Sequence, residues 1–119
     1  MHLIATVLVL LVAVLHVYIL VLEMFLWTRP LGLKTFRNTP EKAAMTKVLA
    51  ANQGLYNGFL AAALFAGLAF GQPVLVVFGL ACVIVAGVYG AATVSRRIFF
   101  VQSVPAILAL GAVLVALGG

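Results

Sequence analysis

Apolar residues fill the chain in four long runs, 3–27, 47–70, 74–93 and 98–117, separated by short polar or glycine- and proline-bearing segments. Each run is close to the ~20 residues that a helix needs to cross a hydrocarbon core of ~30 Å at ~1.5 Å per residue. None alternates as a barrel strand would, and inside lipid only helices or closed barrels satisfy every backbone group. The pattern predicts an all-α fold, an integral membrane four-helix bundle forming one domain over 1–119. Its helices are expected at about 3–27, 40–70, 74–93 and 98–117.

The segments between the runs sharpen these limits. Pro30 disfavours helical geometry at Arg29, and Gly32 loosens the chain beyond it, so the first helix is expected to break after Trp27. Thr39-Pro40-Glu41 then reads as a start signal: a capping hydroxyl, a proline suited to the first helical position, and an acid at the positive end of the dipole. The second helix is therefore longer than its apolar run, and its first turns project from the bilayer. Leu33 and Phe36 are placed to dip into the interface. Gly71-Gln72-Pro73 predicts a tight turn that makes helices two and three antiparallel neighbours. Pro105, early in the last run, is expected to kink it or to free a carbonyl.

Charge adds an orientation. The net charge of +5 comes from Arg29, Lys34, Arg37, Lys42 and Lys47 in or beside the first connection and from Arg96 and Arg97 in the third. Basic residues favour cytoplasmic loops, so these connections are expected to face the cytoplasm and both termini the opposite, non-cytoplasmic side. Contact with anionic membrane lipids completes this account without nucleic acid. The first run lacks the basic flank and small-residue cleavage site of a signal peptide and is expected to be retained. Cys82, the single cysteine, lies mid-run and reads as a packing residue. The localisation expected is a cell membrane, crossed several times, with a bacterial inner membrane as the setting.

Polar groups inside a span are costly, which makes them site candidates. His16 and Glu23, seven apart, return to one helix face within ~20°. In Asn52-Gln53-Gly54-Leu55-Tyr56-Asn57, the four polar side chains span an arc of ~140° at ~100° per residue. Gly54, Gly58 and Ala61 face the other way as a small-residue packing stripe. Gln102 adds a group from the last helix. Glu23, Asn52, Gln53 and Gln102 fall within ~10 Å of the cytoplasmic boundary at ~1.5 Å per residue, with Tyr56 slightly deeper and His16 and Asn57 near the midplane. This predicts a polar-floored cavity open to the cytoplasm, with His16, Glu23, Asn52, Gln53, Tyr56, Asn57 and Gln102 as ligand-binding candidates. Glu23 and Tyr56 are the candidate acid/base groups. Asn57 is assigned by depth as the structural partner of His16. Glu23 needs a cation or a proton: the expectation is that it pairs with Arg96 or Arg97, accepts from Gln102, or stays neutral. His2 and His16 lie too far apart to share a metal, and no metal site is expected.

Three stretches carry a resemblance: residues 16–27 through His16, Glu23 and Trp27; residues 51–61 through Asn52-Gln53-Gly54-Leu55-Tyr56-Asn57-Gly58; and residues 102–109 from Gln102. Together they resemble a family of small bacterial membrane proteins known as domain of unknown function 1304, which implies four spans and no stated activity. At the level of architecture the chain is also similar to the membrane-associated eicosanoid and glutathione metabolism proteins. Glu41-Lys42, Lys47 and Asn52 match part of their helix-two signature, whereas Leu55 and Val48 stand where an acid and an arginine are expected. That similarity implies a homo-oligomer, a trimer in that family, and glutathione as cofactor.

Several functions are open at this point. The leading one is a small oligomeric membrane protein that binds an amphipathic or lipid-like ligand between helices. A membrane transferase or isomerase would use the same cavity. A proton or cation transport component would use Glu23 and His16 along helix one. A structural partner subunit would pack through Gly54, Gly58, Gly79, Ala86 and Gly90.

Overall fold

The computed structural model of the chain describes residues 2–118 and is helical almost throughout. Five α-helices follow in order: α1, Leu3–Met24; α2, Pro30–Phe36; α3, Pro40–Ala69; α4, Pro73–Thr93; and α5, Val104–Gly118, preceded by a π-helical stretch, Phe99–Ser103. Among the described residues, three helices are long and apolar enough to cross a membrane: Leu3–Met24, Pro73–Thr93 and Phe99–Gly118. The longest helix, α3, is not one of them. Asn52, Gln53, Tyr56 and Asn57 dilute its apolar half, and Glu41, Lys42 and Lys47 occupy its beginning.

Local chemistry accounts for most of the helix ends. At the start of α3 the Thr39 hydroxyl accepts from the Lys42 N–H at 3.2 Å, the cap that leaves Pro40 free to open the helix. At its end Gly71 takes a left-handed φ of 61°, and the Gln72 N–H returns to the Gly67 carbonyl at 2.8 Å. This is the Schellman arrangement, which glycine adopts without a Cβ penalty. Pro73 then occupies the first turn of α4.

Two stretches differ from the sequence expectation. Helix α1 ends at Met24, so Trp27 lies in the turn beyond it and not on the helix. Arg29 is extended ahead of Pro30 (φ −86°, ψ 162°), as expected, but Pro30 opens a further helix, α2, and Gly32, expected to loosen the chain, is buried within it. A Cβ at Gly32 would lie 2.8 Å from the Leu26 carbonyl carbon and 3.1 Å from the Trp27 Cα. Glycine is there for close backbone contact, not to loosen the chain. Arg37 ends α2 with a left-handed φ of 54°, and the Asn38 N–H returns to the Leu33 carbonyl at 2.9 Å. Phe36 packs on Trp27, ring centroids 4.9 Å apart.

The chain divides into two compact units, one made of residues 1–14 and 60–119, the other of Leu15–Phe59. The larger unit has an apolar core in which Ala5, Val9 and Val12 of α1, Leu64 of α3, Val76, Leu80 and Val83 of α4, and Ala106, Ala109 and Val113 of α5 are buried. In α1, α4 and α5 their spacings of three and four residues give one inward stripe per helix. The opposite faces are apolar too: Leu11, Phe78, Val85 and Leu108 are each more than half exposed. In this unit α4 and the π-helical stretch approach so closely that a Cβ at Gly87 would lie 2.9 Å from the Ser103 backbone nitrogen. Ser103 is fully buried there and its hydroxyl donates to the Ile84 carbonyl at 2.9 Å. Pro105 brings no N–H, and the widened turn just ahead of it, closed by the Val104 N–H on the Phe99 carbonyl, accommodates its ring without a broken helix.

Candidate functional site

The smaller unit holds most of the polar candidates, and its geometry sorts them into two groups. Glu23, His16 and Asn57 are buried, His16 completely and the other two to within 8% exposure. Asn52, Gln53 and Tyr56 are exposed, with Tyr56 at 59%. The amide of Asn57 donates to Glu23 Oε1 at 2.6 Å. Asn57, assigned from depth to His16, is instead the partner of Glu23.

The reason lies in how α1 meets α3. Gly54 and Gly58 let the last turns of α1 approach without an intervening side chain. A Cβ at Gly54 would lie 2.7 Å from Met24 Cγ and 3.1 Å from Glu23 Cβ, and one at Gly58 would lie 2.5 Å from Leu20 Cδ1. Ala50, Gly54, Asn57 and Ala61 form the buried stripe of α3. The polar face and the small-residue face, expected to be separate, therefore share Asn57. At ~100° per residue it sits ~60° from Gly54, close enough to the glycine strip for its short side chain to reach the carboxyl. A buried carboxyl needs a donor, and the amide supplies one.

Closer to the first connection, the indole N–H of Trp27 donates to Thr46 Oγ1 at 3.1 Å, and Thr46 Oγ1 donates to the Lys42 carbonyl at 2.8 Å. These bonds hold the segment after α1 against α3 and shape an open concavity of about 490 Å³ lined by Met24, Phe25, Trp27, Thr28, Arg29 and Lys47. Two cations, a hydroxyl and an indole thus stand beside a thioether and a phenyl ring. The arrangement suits an anion carried on an apolar body.

The sequence alone presents Arg29 and Lys47 only as orientation and lipid-contact charges. The signal for a shared site was present, since both flank apolar runs, but the two stand eighteen positions apart, and only the antiparallel course of α1 and α3 brings the segment after α1 beside Lys47. Glu23, by contrast, has little surface left for a ligand. Gln102, half-buried, belongs to the larger unit, as does a second concavity of about 310 Å³ lined by Thr6, Gly67, Leu68, Gly71, Pro73 and Leu117, which carries no charge. Among the described residues no group of three His, Cys, Asp or Glu side chains is placed to hold a metal.

No curated protein and no solved structure matches the chain. A family described as a protein of unknown function (DUF1304) matches residues 10–114, nearly the whole length and including both the Glu23–Asn57 contact and the basic concavity. The chain is a member of the DUF1304 family.

Proposed function

We propose that this chain is a four-span integral membrane protein that holds the anionic head of an amphipathic, lipid-like ligand in the concavity beyond α1. One observation carries the reading: Arg29 and Lys47 line the same open space as Trp27, Met24 and Phe25. In the proposed setting α3 is the fourth span. Its 30 residues measure ~45 Å at ~1.5 Å per residue, enough to cross the core and carry Glu41 and Lys42 beyond it. Arg29, Lys34, Arg37, Lys42, Lys47, Arg96 and Arg97 then lie toward the cytoplasmic headgroups. The head of the ligand pairs with the guanidinium and ammonium groups, and its apolar part lies along Met24 and Phe25, which is 65% exposed. Glu23 and Asn57 act beneath this site by fixing α1 on α3.

Trp27 is the only tryptophan, so its fluorescence reports on the concavity alone. The full chain is reconstituted in bilayers containing brominated phosphatidylglycerol or brominated phosphatidylcholine at equal fractions. Stronger quenching by the anionic lipid is expected. Arg29→Ala and Lys47→Ala should each reduce that preference about fivefold, from ~1 kcal/mol per basic residue near an anionic surface. Equal quenching by the two lipids, or a preference untouched in the double variant, overturns the proposal.

A further inference from the structure

The exposed side of α3 carries a regular pattern that the basic concavity does not use. Met45, Val48, Leu49, Asn52, Tyr56 and Phe59 fall within ~100° of one another at ~100° per residue, and all are exposed. Met45, Val48 and Leu49 are 85%, 82% and 71% exposed, and Tyr56 and Phe59 more than half. Met45, Asn52 and Phe59 repeat every seven residues, with Val48 and Leu55 between them at the three-residue offset, the spacing of a helix-pairing seam. The stripe lies on the far side of α3 from Ala50, Gly54, Asn57 and Ala61, which are buried.

Asn52 makes this more than an apolar face. In the four-span reading, on which this step rests, it lies six residues or ~9 Å along the helix from Thr46, within the apolar leaflet. A carboxamide facing hydrocarbon has no partner there, and its donors and acceptor remain costly until another polar group meets them. Copies of one chain inserted with the same topology are related by an axis along the bilayer normal, so equivalent residues stand at equal depth. A carboxamide is both donor and acceptor. Asn52 of one copy therefore complements Asn52 of the next, and a single asparagine in such a seam also sets the register of pairing.

We infer that the outer seam of α3, centred on Asn52, is the surface through which copies of this chain associate side by side in the bilayer. The occupant is a second copy, because an equivalent helix brings the same self-complementary group to the same height with apolar residues matched on either side.

Disulfide trapping in native membranes tests this. Cys82 is first replaced by alanine, and single cysteines are introduced as Asn52→Cys, Leu49→Cys and, turned ~100° from Asn52 at nearly the same depth, Ala51→Cys. Oxidation is expected to produce cross-linked pairs at positions 52 and 49 and none at 51. Two seam positions keep the test valid if either substitution disturbs folding. In parallel, energy transfer between labelled full-length copies should show Asn52→Leu weakening association about threefold to tenfold, the range for an interhelical hydrogen bond in a membrane. Equal trapping at position 51, or no trapping while the chain resists alkaline extraction, overturns the seam and leaves the membrane reading standing. Extraction of the chain by alkaline wash overturns the membrane reading, and the seam with it.

Discussion

Replacing Asn57 with alanine removes the buried hydrogen bond between Glu23 of α1 and Asn57 of α3. The amide donates to Glu23 Oε1 at 2.6 Å, and both side chains are at most 8% exposed. Removing the donor leaves the carboxyl in a space that water does not readily enter, because Gly54 and Gly58 hold the helices in direct contact. An unsatisfied buried polar group costs about 1–3 kcal/mol, more for a charged one. Measured interhelical bonds in membranes average only about 0.6 kcal/mol, because the unfolded chain in lipid also finds partners. The burial here argues for the upper part of this span, about 1–2 kcal/mol for Asn57→Ala. Glu23→Gln keeps an acceptor for the Asn57 amide and should cost less than Asn57→Ala. The double change Glu23→Leu with Asn57→Leu removes both polar groups and should cost less than the two single Leu changes together. Reversible unfolding of the reconstituted chain, followed by steric trapping or by circular dichroism in mixed micelles, gives these differences. Exposed Gln53→Ala is the control. If Asn57→Ala costs no more than Gln53→Ala, the contact is not holding α1 to α3 and the reasoning fails.

The packing sets two further outcomes. Gly54→Val should destabilise the smaller unit by about 1–3 kcal/mol through overpacking against Met24, Glu23 and the Leu20 carbonyl, all within 3.2 Å of the added Cβ position; a cost near zero in the same unfolding assay would refute the close approach. Ser103→Ala should cost about 0.5–1.5 kcal/mol by removing the hydroxyl that donates to the Ile84 carbonyl, and hydrogen exchange should quicken around the π-helical stretch if that bond tethers it to α4.

Thr39-Pro40-Glu41 and Gly71-Gln72-Pro73 were legible because caps and turns depend on residues a few positions apart. Three of the apolar runs were legible because length and hydropathy are additive along a chain. Helix α2 escaped because Pro30 and Gly32 are breakers in isolation. One opens the helix and the other is placed by backbone contact with Leu26 and Trp27, a contact set by the course of the turn after α1 and not by helical periodicity. The widened turn before Pro105 has the same status: proline announces a disturbance, and packing on α4 accompanies the form it takes.

The polar residues divide along the same line. Their identities and helical faces were contained in the sequence, since ~100° per residue assigns each a direction. Which direction is inward was not, because Asn57 stands at the margin of both the polar arc and the glycine strip, and one-dimensional periodicity cannot choose between them. Close approach over Gly54 and Gly58 made the choice, burying Asn57 with Glu23 and leaving Asn52, Gln53 and Tyr56 outside. The tertiary structure likewise joined Arg29 to Lys47 across an antiparallel pair of helices. Composition and periodicity are properties of neighbours in the chain and determined the helices. Partnership between side chains is a property of neighbours in space, and only the packing of α1 on α3 could decide it.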